Sequence, residues 1–179
     1  MRIIGGSLGG RILKPNMKGW PTRPTTDISK EALFNILQNR IDFEEVRMLD
    51  LFGGAGNHSF EFLSRGCNDV TYVDLHPKCV HFVQNQAVLF NVSNNLKVIR
   101  GDVKKFIMSG SDSFDYIFAG PPYPLIWLKE IPDLIIKNEL LTPEGFLVME
   151  HNPSHDFTNH SHFKEKRKYG QTIFSFFAL

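Results

Sequence analysis

The chain has 179 residues, 42% of them hydrophobic and 22% charged, with a formal net charge of +1. This composition is typical of a soluble one-domain protein. A net charge so close to zero excludes an overall electrostatic field that would require an acidic partner. The two cysteines, Cys67 and Cys79, form no CxxC pair. A disulfide framework or zinc site is therefore not expected, and a reducing cytoplasmic setting fits. We expect neither a membrane span nor a signal peptide, because the apolar runs are too short.

The first 26 residues are locally basic. MRII and RILK around GGSLGG predict a short β-hairpin over residues 1–14, and a Pro/Thr-rich loop follows over 15–26. We therefore divide the chain into a basic hairpin and loop, 1–26, and a globular unit, 27–179. Such a segment can meet nucleic-acid phosphates, or it can simply be solvated. Its basic residues are Arg2, Arg11, Lys14, Lys18 and Arg23, and it holds no acidic residue.

From residue 27 onward, helical and strand patterns alternate. A helix begins at Thr26 or Asp27, and further helices are predicted over 57–66, from Pro77, over 103–109 and over 128–141. Strands are predicted over 47–52, 69–75, 95–101, 114–120 and 145–151, and the tail predicts a closing hairpin. This alternation predicts an α/β fold: a mostly parallel sheet covered on both faces, with an antiparallel pair at one edge.

Ligands of open α/β sheets bind beyond the carboxyl ends of the strands, so residues at those ends are candidate site residues. The first strand ends in LDLFGGAGN, which contains Asp50, Phe52, Gly54 and Gly56. Glycines allow the backbone to come close to a ligand, although a tight structural turn would also need them. Ser59 stands where a dinucleotide fingerprint has its third glycine. NAD and FAD are therefore disfavoured.

Acidic residues follow the next two strands. Asp74 lies 18 residues after Gly56 and can accept hydrogen bonds from ribose hydroxyls. Asp102 can accept a hydrogen bond from an exocyclic amine such as that of adenine. Each acid alone could instead be a helix N-cap. Together the strand ends describe a nucleoside pocket without a phosphate pocket, which suits S-adenosylmethionine.

The fourth strand ends in AGPPY, residues 119–123. The glycine turn after the first strand, the acid after the second, Gly-Asp after the third and this Pro-Pro-Tyr motif after the fourth form a series. In that order they resemble the motifs of the amino-methyltransferases. With MRIIGG, GGRIL, RPTTD, EALFNIL and RKYG added, nearly the whole chain resembles the RsmD family, bacterial enzymes that methylate the N2 amine of one guanine in 16S ribosomal RNA. The resemblance implies a Rossmann-like S-adenosylmethionine-dependent fold with seven strands, and a monomer acting on the small ribosomal subunit or an assembly intermediate. It also implies that Arg23, Thr25, Thr26, Leu75 and Val103 join the cofactor site, and that the hairpin and loop bind RNA.

In this family the turn after strand four clamps a base pulled out of its stack. The resemblance gives Pro121 a carbonyl acceptor for the target amine, Pro122 a rigid turn and Tyr123 a stacking surface. Gly120 occupies the place of an expected Asp or Asn and has no side-chain oxygen. Losing a hydrogen bond to a charged group, roughly 1.5–3 kcal/mol, would slow the reaction about ten- to a hundredfold. A water could replace the carboxylate, the chain could only bind its ligands, or a single Asp-to-Gly change could have entered this sequence.

Two other functions remain open. A DNA adenine N6-methyltransferase uses the same strand-four motif, but generally needs more sequence to read DNA. A non-catalytic protein that binds S-adenosylmethionine and RNA would explain Gly120. A nicotinamide oxidoreductase is opposed by Ser59. The stretch HNPSHDFTNHSH, which begins at the last residue of the predicted fifth strand, holds His151, His155, His160 and His162. We expect it to be a solvated loop and not a metal site.

Overall fold

The computed structural model describes residues 1–15, 26–110 and 112–179. The α-helices are α1 Asp27–Leu37, α2 Asn57–Ser64, α3 Pro77–Leu89, α4 Val103–Ser109 and α5 Ile131–Lys137. The strands are β1 Arg47–Leu51, β2 Asp69–Asp74, β3 Leu96–Arg100, β4 Phe114–Ala119, β5 Leu141–His151, β6 Phe163–Tyr169 and β7 Thr172–Ala178. Two short 3-10 turns lie at Ser93–Asn95 and Leu128–Glu130. No helix within the described residues is both long and apolar enough to cross a bilayer.

The strands form one seven-stranded sheet in the order β3-β2-β1-β4-β5-β7-β6. Strands β1 to β5 are parallel, and β7 runs antiparallel to both β5 and β6. The predicted α/β fold, with its mostly parallel sheet and closing antiparallel hairpin, is confirmed. The chain moves outward from β1 to β3 and then returns to place β4 on the other side of β1. This reversal opens a crevice at the carboxyl ends of β1 and β4, where such sheets bind ligands.

Alternate strand residues point to opposite faces, and each face has its own apolar core. Helices α1, α2 and α3 cover one face, where Phe34, Phe62 and Tyr116 are buried. Helices α4 and α5 cover the other face, around Ile117 and Leu147. Double-sided burial explains why the central strands are nearly continuous apolar runs.

The predicted N-terminal hairpin is present as a short antiparallel pairing. Arg2 pairs with Ile12, and the backbone N–H of Ile3 donates to the carbonyl of Arg11 at 2.9 Å. The side chains of Ile3, Leu8 and Leu13 are buried in the same core as α1 and α2. The hairpin is therefore packed on that face of the sheet.

The helix predicted over 128–141 was too long, and the strand predicted over 145–151 was too short. Helix α5 ends at Lys137, and Glu139 has a left-handed φ of +55° that turns the chain away from the helix axis. β5 then begins at Leu141, paired with Phe114. A register shift between Phe114 and Tyr116 absorbs the residues before Phe146. The apolar run at 140–141 reads equally well as the end of a helix, and only its pairing with β4 decides otherwise.

Candidate active site at the carboxyl ends of the strands

The turn after β1 is shaped by three sterically restricted glycines within four residues. A Cβ on Gly53 would lie 2.3 Å from the Tyr72 ring, so only glycine fits there. Gly54 and Gly56 have left-handed φ angles of +54° and +72°, and Gly56 is the N-cap of α2. The Tyr72 hydroxyl donates to the Gly54 carbonyl at 2.6 Å. The turn is thus held in place by a side chain of β2.

Asp74, at the end of β2, is bonded directly to this turn. Its Oδ2 accepts from the N–H of Gly54 at 2.9 Å, and its Oδ1 accepts from the N–H of His76 at 2.7 Å. The residue is 7% exposed. Burial raises the pKa of the carboxyl group, and the two backbone N–H donors oppose that rise. Each carboxylate oxygen retains a second lone pair, so Asp74 can hold the turn and still accept from a ribose hydroxyl.

Asp50 holds the start of α2. Its Oδ2 accepts from the Ser59 hydroxyl at 2.6 Å and from the Ser59 N–H at 3.1 Å. Both residues are buried, and Asp50 is 1% exposed. Burial raises the pKa of Asp50 to about 7, Asp74 adds to the rise, and the two Ser59 bonds oppose it. Ser59 stands where a dinucleotide fingerprint has its third glycine. Its hydroxyl and N–H both donate to Asp50, so the side chain has a structural role inside the fold.

The Asp50 titration predicts a pH dependence of stability. The folded-state pKa lies above the ordinary value of 3.8, so the folded state binds the proton more tightly than the unfolded state. The free energy of unfolding should therefore fall as the pH rises from about 4 to about 7. Asp50→Asn keeps an oxygen acceptor but does not titrate. We expect urea unfolding of the variant to lose about 1–3 kcal/mol less stability over this range than the parent. Parallel pH profiles for both chains would contradict the assignment.

The other predicted cofactor residues surround the same crevice with different exposure. Leu75 is 62% exposed just beyond Asp74, and so presents an apolar surface at the sheet edge. Asp102 caps α4, because its Oδ1 accepts from the N–H of Lys105 at 2.9 Å. The side chain of Val103 is 4% exposed and packs in the core, which leaves only its backbone to a ligand. Phe52 has a left-handed φ of +60°, and the centroid of its ring lies 5.8 Å from the centroid of the Trp127 ring.

The turn after β4 lies beside the glycine turn. The N–H of Gly120 donates to the Leu51 carbonyl at 3.2 Å, which joins the ends of β4 and β1. Gly120 has no left-handed φ, and among the residues that the structure describes a Cβ there would meet only the Phe118 ring, at 3.2 Å. A side chain at this position would therefore require the Phe118 ring, which is stacked on His58 with 3.8 Å between centroids, to shift by a few tenths of an ångström. Pro121 is buried and Pro122 is exposed. The half-buried Tyr123 donates its hydroxyl to Glu150 Oε1 at 3.2 Å.

A buried ionic network joins the N-terminal hairpin to this end of the sheet. Lys30 of α1 donates to the Arg2 carbonyl at 2.6 Å and to Asn57 Oδ1 at 2.8 Å, and its ammonium lies 3.1 Å from Glu61 Oε2. Glu61 also accepts from the backbone N–H groups of residues 4 and 5. Burial lowers the pKa of Lys30, and Glu61 opposes the fall. Asn57 follows the glycine turn directly, so one lysine ties hairpin, helix and turn together.

Three of the predicted RNA-contacting residues, Arg2, Arg11 and Lys14, have exposed side chains on the hairpin. The guanidinium of Arg11 lies 5.2 Å from the centroid of the Phe90 ring. Thr26 caps α1 by accepting from the Ser29 N–H at 3.2 Å. The predicted ligand contacts Lys18, Arg23 and Thr25 lie outside the described residues.

Sequence reasoning overlooked two residues at this site. Glu150 is the penultimate residue of β5 and is 7% exposed, and it would have been found if the fifth strand end had been read like the first four. Gly53 was passed over because the motif pattern emphasises Gly54 and Gly56.

In the part of the chain that the structure describes, no group of three or more His, Cys, Asp or Glu residues could hold a metal ion. Among the tail histidines, His160 bonds Asp133 at 3.1 Å.

Comparisons with known proteins show the family to which the chain belongs. The family model described as conserved hypothetical protein 95 matches residues 1–178. The Bacillus subtilis protein YlbH, provisionally named an rRNA methyltransferase, is 36% identical over 85% of this chain and 83% of its own length. Ribosomal RNA small subunit methyltransferase D of Haemophilus influenzae is 32% identical, over 84% of this chain and 78% of its own.

Solved structures share the fold. A hypothetical protein of Thermus thermophilus superposes with a TM-score of 0.87 at 24% identity, covering 100% of this chain and 99% of its own. An S-adenosylmethionine-dependent methyltransferase of Agrobacterium tumefaciens gives a TM-score of 0.64 at 19% identity, covering 83% of this chain and 61% of its own. The Rossmann-like methyltransferase fold is therefore confirmed, and at these identities the likeness concerns the fold alone.

Proposed function

The chain belongs to the family described as conserved hypothetical protein 95, the RsmD family, and on that premise we propose that it methylates the N2 amine of a guanine in 16S ribosomal RNA. The proposal rests on one observation, which is that two turns meet at the carboxyl ends of β1 and β4, where the strand order reverses. One is the glycine turn fastened by Asp74, and the other is the Gly120-Pro121-Pro122-Tyr123 turn. The named small-subunit methyltransferases among its relatives support a ribosomal substrate. Such a substrate implies a cytoplasmic enzyme, which we propose acts as a monomer.

The cofactor site fits S-adenosylmethionine better than a dinucleotide. The glycine turn is half-buried at Gly53, Asp74 offers free lone pairs to ribose, and Leu75 offers an exposed apolar face for the adenine ring. No third glycine makes room for a pyrophosphate, because Ser59 is tied to Asp50. When bound, S-adenosylmethionine supplies an electrophilic methyl group with a thioether as leaving group.

The turn after β4 is suited to hold the base. The Pro121 carbonyl and the Tyr123 ring are placed by a rigid Pro-Pro segment that costs little entropy to order. Tyr123 is further restrained by its hydrogen bond to Glu150. We propose that the carbonyl accepts a hydrogen bond from the target amine while the ring stacks on the flipped base. Both contacts orient the amine lone pair for in-line transfer.

We propose that the basic hairpin and loop, residues 1–26, form the RNA-contacting part of the chain, with residues 27–179 as the methyltransferase domain. Arg2, Arg11 and Lys14 are exposed and can meet phosphates, which position an RNA without reading its sequence. Lys30 bonds both the Arg2 carbonyl and Asn57 beside the glycine turn. The hairpin is thereby held in a constant position relative to the proposed cofactor site.

The experiment that tests this function measures transfer of labelled methyl from S-adenosylmethionine to small ribosomal subunits that lack the modification, followed by mapping of the modified nucleotide. We expect the parent to be active but slow, and Gly120→Asp to be roughly tenfold faster, because the variant adds a charged acceptor that the local backbone tolerates.

Duplex DNA is the control substrate in this assay. Transfer to its adenine instead of to the subunit would identify a DNA methyltransferase. Cofactor binding without transfer by either chain would identify a binding-only protein.

A further inference from the structure

We infer that the Glu150 carboxylate supplies the side-chain oxygen that position 120 lacks, and so accepts a hydrogen bond from the target amine. The inference rests on the proposed function and adds a catalytic residue to it. It would explain how a chain with glycine at the centre of its base clamp keeps the clamp chemistry. Three observations support the inference: the register of the β-sheet, the free space at Gly120 and the hydrogen bond between Tyr123 and Glu150.

The register of the sheet places Glu150 beside Gly120. β4 and β5 are parallel, with Phe118 opposite Val148 and Ala119 opposite Met149. Continued by one residue, the same register sets Gly120 opposite Glu150, with backbones about 4.8 Å apart. Neighbouring parallel strands direct in-register side chains to the same face. Glu150 therefore points to the face that a side chain at position 120 would occupy.

The two faces can be checked from their packing. Phe118 and Val148 both lie in the core beneath α1 and α2, whereas Ala119 and Met149 lie in the opposite core. An added Cβ on Gly120 would meet the Phe118 ring, which confirms its direction. Glu150 is also paired with Phe174 of β7, a residue of the same core as Phe118. The carboxylate therefore lies on the Phe118 side of the sheet.

Space for the amine exists at Gly120. Among the described residues, the Phe118 ring alone comes within 4 Å of an added Cβ. A target amine can thus approach closer to the strand than in a chain with Asp at this position. Glutamate is one methylene longer than aspartate, so a carboxylate from the adjacent strand can reach toward the gap.

The clamp already includes Glu150. Tyr123 donates its hydroxyl to Oε1 at 3.2 Å, so the carboxylate and the proposed stacking ring are parts of one arrangement. A carboxylate has two oxygens and about four lone-pair sites, and can accept from an amine while it holds the tyrosine. Glu150 is 7% exposed, and a hydrogen bond to a charged group is stronger in such an environment than in water.

The chemistry gives this acceptor a definite task. As the guanine nitrogen forms its bond to the methyl carbon, the carbon–sulfur bond breaks and its electron pair stays on sulfur. Positive charge develops on the nitrogen, which then loses one proton through the hydrogen bond to Glu150 and on to water. A preorganised negative charge at the amine stabilises this transition state more than the ground state.

The test is a double-mutant cycle on positions 120 and 150. Glu150→Met removes both oxygens at similar length, and is expected to lower kcat roughly ten- to a hundredfold in the parent. In the Gly120→Asp background the same change should cost less than about threefold, because the new aspartate supplies the acceptor. An equal loss in both backgrounds would overturn the inference.

Tyr123→Phe is the matched control, because it removes the hydroxyl that donates to Glu150 but keeps the ring. If Glu150 only positioned Tyr123, this variant would lose as much activity as Glu150→Met, and Gly120→Asp would rescue neither. We expect Tyr123→Phe to retain most of its kcat. Equal melting temperatures of the parent, the three single variants and the double variants would show that the differences do not come from folding. Absence of transfer by both the parent and Gly120→Asp would contradict the proposed function itself, and the inference with it.

A binding measurement without cofactor gives a second readout. A short RNA hairpin carrying the mapped guanine is compared with one carrying inosine, which lacks only the N2 amine. The parent should bind the guanine RNA roughly tenfold more tightly, and Glu150→Met should lose most of that preference while its affinity for the inosine RNA stays unchanged. A preference that survives in Glu150→Met would overturn the inference.

Discussion

Glu61→Leu is expected to lower the free energy of unfolding by about 3–5 kcal/mol, because it leaves a buried charge without its partner. Glu61 is fully buried, and the Lys30 ammonium lies 3.1 Å from its Oε2. The carboxylate also accepts from the N–H groups of Ile4 and Gly5 at 2.8 and 2.9 Å, and from the guanidinium of Arg65. Its removal would strand an ammonium and two backbone donors inside the fold. Urea unfolding followed by circular dichroism measures the change.

Two controls separate a buried pair from an ordinary one. Glu130→Gln breaks an exposed pair with Lys104, at 2.9 Å, and should cost less than about 1 kcal/mol. Adding Lys30→Met to Glu61→Leu removes the stranded ammonium, so the double variant should be more stable than Glu61→Leu alone. If Glu61→Leu is as mild as Glu130→Gln, the network does not hold the hairpin in place.

Asp74→Ala is expected to weaken S-adenosylmethionine binding about a hundredfold. We propose that this carboxylate accepts two hydrogen bonds from the ribose, and at about 1.5 kcal/mol each their loss amounts to that factor. In the parent, the N–H groups of Gly54 and His76 donate hydrogen bonds to this carboxylate, and the variant removes both bonds. Some stability should therefore be lost as well. Isothermal titration calorimetry gives the affinity, and thermal unfolding without cofactor gives the structural part.

Asp102→Ala is the comparison for this result. Asp102 is exposed and caps α4, so the variant should lose about 1 kcal/mol of stability. A single lost adenine contact should weaken binding by roughly tenfold. If Asp74→Ala destabilises the fold but binds the cofactor as tightly as the parent, Asp74 serves only to fasten the turn.

Much of the fold followed from local pattern. The five predicted parallel strands, the closing hairpin and the α/β class are all present, because double-sided burial imposes apolar runs that stand out in any sequence. The error at residues 138–145 arose where local pattern is ambiguous. A short apolar run after a helix can extend the helix or start a strand, and the pairing of Leu141 with Phe114 decides between them.

The sequence by itself determined the fold class, the order of the strand-end motifs and the family. These depend on residue type and spacing, which the chain carries in one dimension. The tertiary structure alone decided what those residues touch. Ser59 turns out to be bonded to Asp50, Gly53 is required by the ring of Tyr72, and Lys30 and Glu61 are joined to the hairpin inside the core.

The same distinction explains Gly120 and Glu150. Thirty positions apart in sequence, they share no local pattern, and glycine at position 120 reads in sequence only as a loss. Parallel pairing of β4 with β5 brings the two strand ends to one edge, and its register, continued by one residue, directs both positions to one face. Side-chain direction in a sheet depends on register, and register is set by long-range pairing that no local pattern encodes.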